Sequence, residues 1–189
     1  VLAAHCVMLE DDEIRLLAER GVKVAHCQES NMKLASGTAP VVKMLEAGIC
    51  VSIGTDGSAS NNDVDMFGEM NTVAKVHKVA RMDPTAMGAA TTLWAATKGG
   101  ARALGAGKMI GSLEVGRKAD LIVLDLNKPH LTPIYNPVSH LVYAARGGDV
   151  VHSIINGRVI MRSRKITTVD EQAVLAEMGR VGRIIQDMK

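Results

Sequence analysis

Residues 51–57 have the sequence VSIGTDG and decide the fold, because they place an acidic side chain, Asp56, after a short apolar run typical of a buried strand. Two glycines in this stretch let the backbone turn sharply beside the carboxylate. A second apolar run, residues 1–4, is followed by an imidazole, His5. If different strands of one parallel sheet deliver the carboxylate and the histidine to corresponding places, the two side chains could serve one metal-activated water.

The residues alone leave a second role open for Asp56. An aspartate beside glycine and serine is more commonly a turn residue or a helix N-cap than a metal ligand. His5 is the observation that keeps the metal interpretation level with this one, because it places another metal-binding side chain at a corresponding strand end.

The first hundred residues alternate strand-like and helix-like segments with short connections, which favours a parallel sheet. Strands are expected over residues 1–5, 22–26 and 49–54, and helices over 11–20, 39–47, 65–81 and 84–97. A polar loop is expected at Gln28, Ser30 and Asn31. The strand ends are 21 residues apart from His5 to His26 and 30 apart from there to Asp56. This spacing suits a (β/α)8 barrel, although an open doubly wound sheet would give the same local pattern.

The pattern changes after residue 105, where glycines and prolines replace the helical connections. Strands are expected over residues 119–126, 150–155, 158–161 and 165–168, and Asn156-Gly157 is the strongest hairpin signal in the chain. Strands without helical crossovers indicate a small antiparallel unit. Residues 171–188 carry apolar side chains at helical spacing, which predicts a C-terminal helix with a packing face.

Composition limits the classes of function. The 189 residues are 47% hydrophobic and 22% charged with a formal charge of +2, so the chain has globular proportions and no basic stripe for binding nucleic acid. No apolar run approaches the ~20 residues of a membrane span, and no signal peptide is indicated. Three cysteines without a C-x-x-C pair argue against disulfides and structural zinc, and favour a reducing cytoplasm.

Other histidines and cysteines are weaker candidates for chemistry. His26 ends the middle strand, where a structural role is slightly favoured over a functional one. Cys6 and Cys27 each follow a strand-end histidine and should point to the opposite face, so core packing is expected for both. The remaining histidines have no metal-like spacing, and His77, His140 and His152 are interpreted as structural or surface residues. The Ser30-Asn31 loop and the serines and asparagines of residues 58–62 could bind a polar substrate, but ordinary turn chemistry is favoured.

Several stretches in order and spacing resemble the amidohydrolase superfamily, in its branch of cytosolic aminohydrolases and chlorohydrolases. They are His5-Cys6, residues 30–37 (SNMKLASG), residues 54–62 (GTDGSASNN) and residues 111–121 (GSLEVGRKADL). Residues 129–143 (PHLTPIYNPVSHLVY) look specifically like the 5′-methylthioadenosine/S-adenosylhomocysteine deaminases. One departure is Gln28, which stands where many relatives have proline.

The resemblance implies roles for three residues. Asp56 resembles the last-strand aspartate that binds a divalent metal, usually zinc, and transfers protons. His5 resembles the sixth-strand histidine that orients the attacking water, and Ser60 lies in the loop that contacts the outer part of the substrate. The implied reaction is hydrolytic deamination of an adenosine-type nucleoside, with water activated by the metal.

The resemblance also implies a division of the chain and suggests that it is a C-terminal fragment. Residues 1–105 would form the sixth to eighth units of a (β/α)8 barrel and the helices after them, residues 106–168 a small β domain and residues 169–189 a helix. The first-strand His-x-His pair and the fifth-strand histidine of relatives are not found, so the isolated chain should bind zinc weakly and be inactive. Association with a second copy or with the missing half is expected.

Three alternatives to this function remain open. The substrate could be guanine or cytosine, or a triazine with chloride as leaving group. The chain could also be a noncatalytic assembly domain that lost its metal.

Overall fold

The computed structural model describes residues 1–188, which form an α/β structure with two sheets and divide into two compact units. The first unit contains Val1–Arg117 and Leu126–Asp149. The second contains Lys118–Asp125 and the described residues from Val150 onward. The α/β class expected from the sequence is confirmed. No helix among residues 1–188 is long and apolar enough to cross a membrane.

Three parallel strands form the sheet of the first unit, in the order β1 (Leu2–Ala4), β2 (Lys23–His26) and β3 (Val51–Ile53). The connections between these strands are helical, and they are α1 (Asp11–Glu19), α2 (Gln28–Lys33) and α3 (Val41–Glu46). The β3 strand is buried at every position, as expected for a strand inside an α/β core.

The register of the sheet places the carboxyl ends of the three strands at the same level. Ala4 lies opposite Ala25, and His26 lies opposite Ile53. The ladder continues one residue further, because the N–H of His5 donates to the Ala25 carbonyl at 2.9 Å. The residues that follow β1 and β3 therefore leave the sheet at the same level, with β2 between the two strands.

After β3 the first unit is helical. Its helices are α4 (Met66–Arg81), α5 (Ala89–Trp94), a π-helical turn (Ala95–Gly99), α6 (Gly100–Ala103), a 3-10 turn (Pro129–Leu131), α7 (Pro137–Tyr143) and a 3-10 turn (Gly147–Asp149). The helix expected over residues 84–97 begins only at Ala89, because residues 84–87 form turns after α4. The core contains fully buried Met44, Val51 and Val73.

Residues 28–31 form the first turn of α2 instead of the expected loop. The physical reason lies far along the chain in α4, where the Glu69 carboxylate accepts hydrogen bonds from the N–H groups of Gln28 at 2.6 Å and Glu29 at 3.1 Å. A carboxylate at a helix N-terminus satisfies free N–H groups and stabilises the helix dipole.

The second unit is a four-stranded antiparallel sheet followed by a helix. Its strands, in sheet order, are β4 (Leu121–Leu124), β5 (Val150–Ile155), β6 (Arg158–Arg162) and β7 (Lys165–Ile166). The predicted hairpin is confirmed: Asn156 and Gly157 both have positive φ, as this turn requires. Helix α8 (Glu171–Asp187) has no buried residue, so the expected packing face is exposed.

The compact units do not follow the boundaries expected from the sequence. Residues 126–149 lie in the first unit, because α7 packs against α4 and α5. The sequence placed this segment in the small β domain, since its prolines masked the helical turn. The three-part division into a partial barrel, a β domain and a terminal helix stays a prediction.

Candidate active site

His5 and Asp56 lie next to each other where β1 and β3 end. The Nε2 atom of His5 is 3.7 Å from Oδ2 of Asp56, and each side chain is about one-third exposed, at 39% and 31%. Both residues have φ of 63°, a left-handed conformation that is unfavourable for residues other than glycine. Such strained residues cluster at functional sites. The structure therefore brings together the two residues singled out from the sequence.

The Asp56 carboxylate is held by hydrogen bonds at both oxygens. Ser30 Oγ donates to Oδ2 at 2.7 Å, and the N–H of Gly57 donates to Oδ1 at 2.8 Å. Hydrogen bonding, chiefly by Ser30 and also by the Gly57 N–H, lowers the pKa of Asp56 to about 2. The carboxylate is thus negative at neutral pH and has lone pairs left to bind a cation or accept a proton.

Asn31 hydrogen-bonds to the His5 ring through the ring nitrogen that does not face Asp56. Its Oδ1 lies 2.8 Å from Nδ1 of His5, while the Nε2 atom of the ring faces Asp56 at a distance too long for a hydrogen bond. Ser30 and Asn31 are both buried, at 0% and 2% exposure, and serve the site rather than the ordinary turn chemistry favoured from the sequence.

Ser60, the third residue expected at the site, lies in the turn after Asp56. Its hydroxyl donates to the Gly57 carbonyl at 3.1 Å. The side chain is half-buried beside the carboxylate, and its expected contact with substrate stays a prediction.

Asp56 and His5 are suited to part of a metal site. A carboxylate and a neutral imidazole are ordinary zinc ligands, and a catalytic zinc usually has three protein ligands. Within residues 1–188, no group of three or more His, Cys, Asp or Glu side chains is arranged to hold a metal ion. The two donors would fit a divalent metal together with ligands from outside the described residues.

His26 is not directed to this pair. Its Nε2 lies 3.0 Å from Nε2 of His77, with both rings buried, and burial lowers the pKa to about 3 for His26 and about 4 for His77. Because both pKa values lie well below 7, both rings are neutral at neutral pH, and one Nε2 donates to the other. This agrees with the structural interpretation of the two histidines.

The cysteines beside the strand-end histidines are poor metal ligands in this structure. Burial raises the pKa of Cys27 to about 11 and also raises the pKa of Cys6, so both remain thiols at neutral pH. Metal binding requires the thiolate, and the packing role expected for both residues agrees with their environment.

The amidohydrolase family model matches residues 1–160, most of the chain. The chain belongs to the amidohydrolase family. It is 58% identical over 186 residues to the 5-methylthioadenosine/S-adenosylhomocysteine deaminase of Syntrophobacter fumaroxidans, covering 98% of this chain and 42% of that protein.

Two further relatives of this amidohydrolase chain extend the comparison. The 5′-deoxyadenosine deaminase of Methanosarcina barkeri is 55% identical, with coverage of 94% of this chain and 40% of that protein. The crystal structure of a zinc-bound adenosine deaminase from Xanthomonas campestris superposes with a TM-score of 0.96 and 46% identity, covering 98% of this chain and 42% of that one. The chain therefore spans about two-fifths of the length of these relatives.

Among the carboxyl groups near α2 in this amidohydrolase chain, Glu69 has the pKa that departs furthest from its ordinary value, and sequence reasoning missed this residue. It is fully buried, and burial raises its pKa to about 7. Asn61 Nδ2 approaches its second oxygen at 3.3 Å. Its partners are 8 to 41 residues away in sequence, so no local pattern distinguishes it from another glutamate in a helix.

Proposed function

We propose that this chain supplies the part of a metal-dependent hydrolytic deaminase that contains Asp56 and His5. The observation that supports this most is the pairing of an ionised carboxylate with an imidazole nitrogen 3.7 Å away at one edge of a parallel sheet. The names of the relatives support an adenosine-type nucleoside as substrate, such as 5′-methylthioadenosine or S-adenosylhomocysteine.

In the proposed reaction, water replaces the amine on the substrate ring carbon, and ammonia leaves. A divalent metal, expected to be zinc, would make water nucleophilic near neutral pH. Asp56 can bind the cation, accept a proton from the attacking water and pass it towards the departing amine. The lone pair on Nε2 of His5 can accept a hydrogen bond from that water and orient it, while Ser60 would contact the outer part of the substrate.

The proposal includes a larger assembly around the parallel sheet. The strands β1, β2 and β3 would be the sixth to eighth strands of a (β/α)8 barrel, with the remaining ligands on other strands. Within the described residues, β1 and β3 each pair only with β2, so both edges of the sheet are open in the sense that no further strand pairs with them, although β3 itself is buried. Open edges favour pairing with further strands, from a second copy or from a polypeptide that carries the other ligands. A cytoplasmic location, and no nucleic-acid or membrane partner, stay predictions of the sequence.

Metal content and deaminase activity of the purified 189-residue chain give a first test. We expect weak zinc binding and no turnover, because two neighbouring donors fall short of a catalytic zinc site. Stoichiometric zinc with steady deamination of 5′-methylthioadenosine would contradict this expectation.

A chimera gives the stronger test. In it, this chain replaces the matching 186 residues of the Syntrophobacter fumaroxidans relative, and the chimera should deaminate 5′-methylthioadenosine. Asp56→Asn should lower kcat by at least about 100-fold, as expected for loss of proton transfer. Asp83→Asn is the control, because that carboxylate caps an exposed turn with Thr85.

The chimera also separates the alternatives. Activity on guanine, cytosine or a chlorinated triazine, without activity on the nucleoside, would favour another substrate in the same family. A folded chimera without metal or activity would favour a noncatalytic assembly domain.

A further inference from the structure

We propose that Asn31 and Ser30 are positioning residues, with Asn31 fixing the tautomer of His5 and Ser30 fixing the orientation of Asp56. Neither would touch the reacting atoms. This inference rests on the proposed function of His5 and Asp56. It also assigns helix α2 a role in the site that the pattern of strand-end residues did not predict.

The Asn31 side chain is buried and makes a single hydrogen bond. It is 2% exposed, and its Oδ1 lies 2.8 Å from Nδ1 of His5. Its Nδ2 atom has no hydrogen-bond partner among the described residues. Burying an amide with half of its hydrogen-bonding capacity unused is unfavourable, so the one bond that it makes is the feature to be explained.

That bond sets the tautomer of the imidazole. A carbonyl oxygen can only accept, so Nδ1 of His5 carries the proton and Nε2 keeps its lone pair. Nε2 lies 3.7 Å from Oδ2 of Asp56, too far for a direct hydrogen bond. Two acceptors facing each other at this distance suit a cation or a water proton between them. Carbonyl partners fix the tautomer of metal-site histidines in the same way.

Ser30, the neighbouring residue, acts on the carboxylate. It is fully buried, and its hydroxyl donates to Oδ2 of Asp56 at 2.7 Å. The N–H of Gly57 holds Oδ1 at 2.8 Å, so each carboxylate oxygen has one fixed donor. Rotation of the carboxylate would break one of the two bonds.

Helix α2 is itself anchored, which makes it a suitable base for both contacts. Glu69 of α4 accepts from the N–H groups of Gln28 and Glu29, and Thr72 of α4 donates to the Glu29 carboxylate at 2.7 Å. Ser30 and Asn31, two successive residues of this anchored helix, therefore hydrogen-bond to the two strained residues that follow the strands. Their bonds help hold His5 and Asp56 in the left-handed conformation that both adopt.

The test is nuclear magnetic resonance of the chain labelled with 15N in histidine and 13C in aspartate, at about pH 8. The wild-type spectrum should show His5 protonated at Nδ1, and a ring protonated at Nε2 would overturn the inference whatever the variants do. Asn31→Ala should lose the Nδ1–H form. Asn31→Asp should retain it, because a carboxylate oxygen replaces the only atom that Asn31 uses.

Ser30→Ala is the matched control, since it removes the neighbouring contact from the same helix. It should shift the Asp56 carboxyl resonance and leave the His5 tautomer unchanged, while Asn31→Ala should do the reverse. If either substitution changes both signals equally, displacement of α2 explains the result and the separate positioning roles are wrong.

Adding zinc to the labelled wild-type chain separates this inference from the proposed function. A zinc-dependent shift at Nε2 of His5 or at the Asp56 carboxyl group, weaker in Asn31→Ala, supports both. If zinc gives no shift at any concentration while the tautomer still depends on Asn31, the positioning role stands and the metal site proposed for these residues fails.

Discussion

At the residue scale, the buried carboxyl group of Glu69 makes folding less favourable as pH rises. Burial raises its pKa from 4.5 to about 7, so the folded chain keeps a proton that the unfolded chain loses. Its contribution to stability is present below pH 4.5 and is lost as pH rises towards 7. Glu69→Gln should remove this loss, about 1–3 kcal/mol, because an amide oxygen can still accept from the N–H groups of α2.

Urea unfolding at pH 5 and pH 8 measures this effect as the change in the free energy of unfolding between the two conditions. Glu19→Gln, at an exposed position of α1, is the control and should leave that change as in the wild type. An unaltered pH dependence in Glu69→Gln would show that the buried carboxyl is ionised without penalty.

The His26 and His77 pair has the opposite pH dependence. Burial is the main cause that lowers both pKa values, to about 3 for His26 and about 4 for His77, and the neighbouring His77 ring and the Lys78 ammonium act in the same direction on His26 and His77 respectively. The unfolded chain therefore takes up protons first, and stability falls as pH drops from 6.5 towards 4. His77→Phe should reduce this acid sensitivity, yet it should cost about 1–3 kcal/mol at pH 8 because a buried His26 nitrogen loses its partner.

The measurement of the histidine pair is best made in the Glu69→Gln background, since the two effects oppose each other between pH 4.5 and 6.5. Unfolding of the double variant at pH 5 and pH 8 then reports on the histidines. If His77→Phe leaves the acid sensitivity unchanged, other groups cause it.

At the element scale, Gly111 shows how closely the chain approaches the π-helical turn and α6. A Cβ atom at Gly111 would lie 2.6 Å from Cβ of Ala101 and 3.2 Å from Cα of Lys98, and φ there is +92°. Gly116 has a similar φ of +89° but nothing within 4 Å. Gly116→Ala should cost about 1 kcal/mol from backbone strain alone, and Gly111→Ala should cost a further ~1–3 kcal/mol from overpacking.

Thermal unfolding of the two glycine variants beside the wild type tests this difference. Because strain is matched, the difference between their stabilities reports on the close approach. Equal costs would mean that the segment around Gly111 moves away freely.

The elements that the sequence predicted well are those with local signals. An apolar run after Gly21 defined β2, an apolar run before Gly54 defined β3, and Asn156-Gly157 defined the hairpin. Helix α2 was missed because its N-terminal hydrogen bonds come from Glu69, 41 residues away from Gln28. Helix α7 was missed because the prolines in and before it resemble those of a loop, although Pro137 occupies the first turn, where proline is tolerated.

The same distinction applies to the candidate site. Asp56 and His5 were found because each ends a strand, and parallel register then brings strand ends together. The partners Ser30 and Asn31 were assigned to turn chemistry, because each contacts a residue 26 positions away and nothing nearby in sequence marks that contact. Local sequence therefore located the chemical groups, while tertiary contacts determine how they are oriented.

At the scale of the whole molecule, the open edges of the parallel sheet predict association between copies of the chain. Leu2 lies on the edge strand β1 and is 41% exposed. A lysine on an edge strand opposes pairing with another strand, so Leu2→Lys should weaken self-association by about tenfold or more. Leu16→Lys on α1, at a leucine that is 50% exposed, adds the same charge away from the edge.

Sedimentation velocity over a range of concentrations distinguishes association through the edge of the sheet from nonspecific association through other exposed apolar side chains. If the edge of the sheet mediates association, the wild type and Leu16→Lys should form dimers at similar concentrations. Leu2→Lys should need a higher protein concentration to form dimers. A monomeric wild type at every concentration, or equal effects of the two lysines, would contradict edge pairing. Association through the edge is also what the proposed barrel would need, since further strands would have to join this sheet for the additional ligands of the proposed site to reach Asp56 and His5.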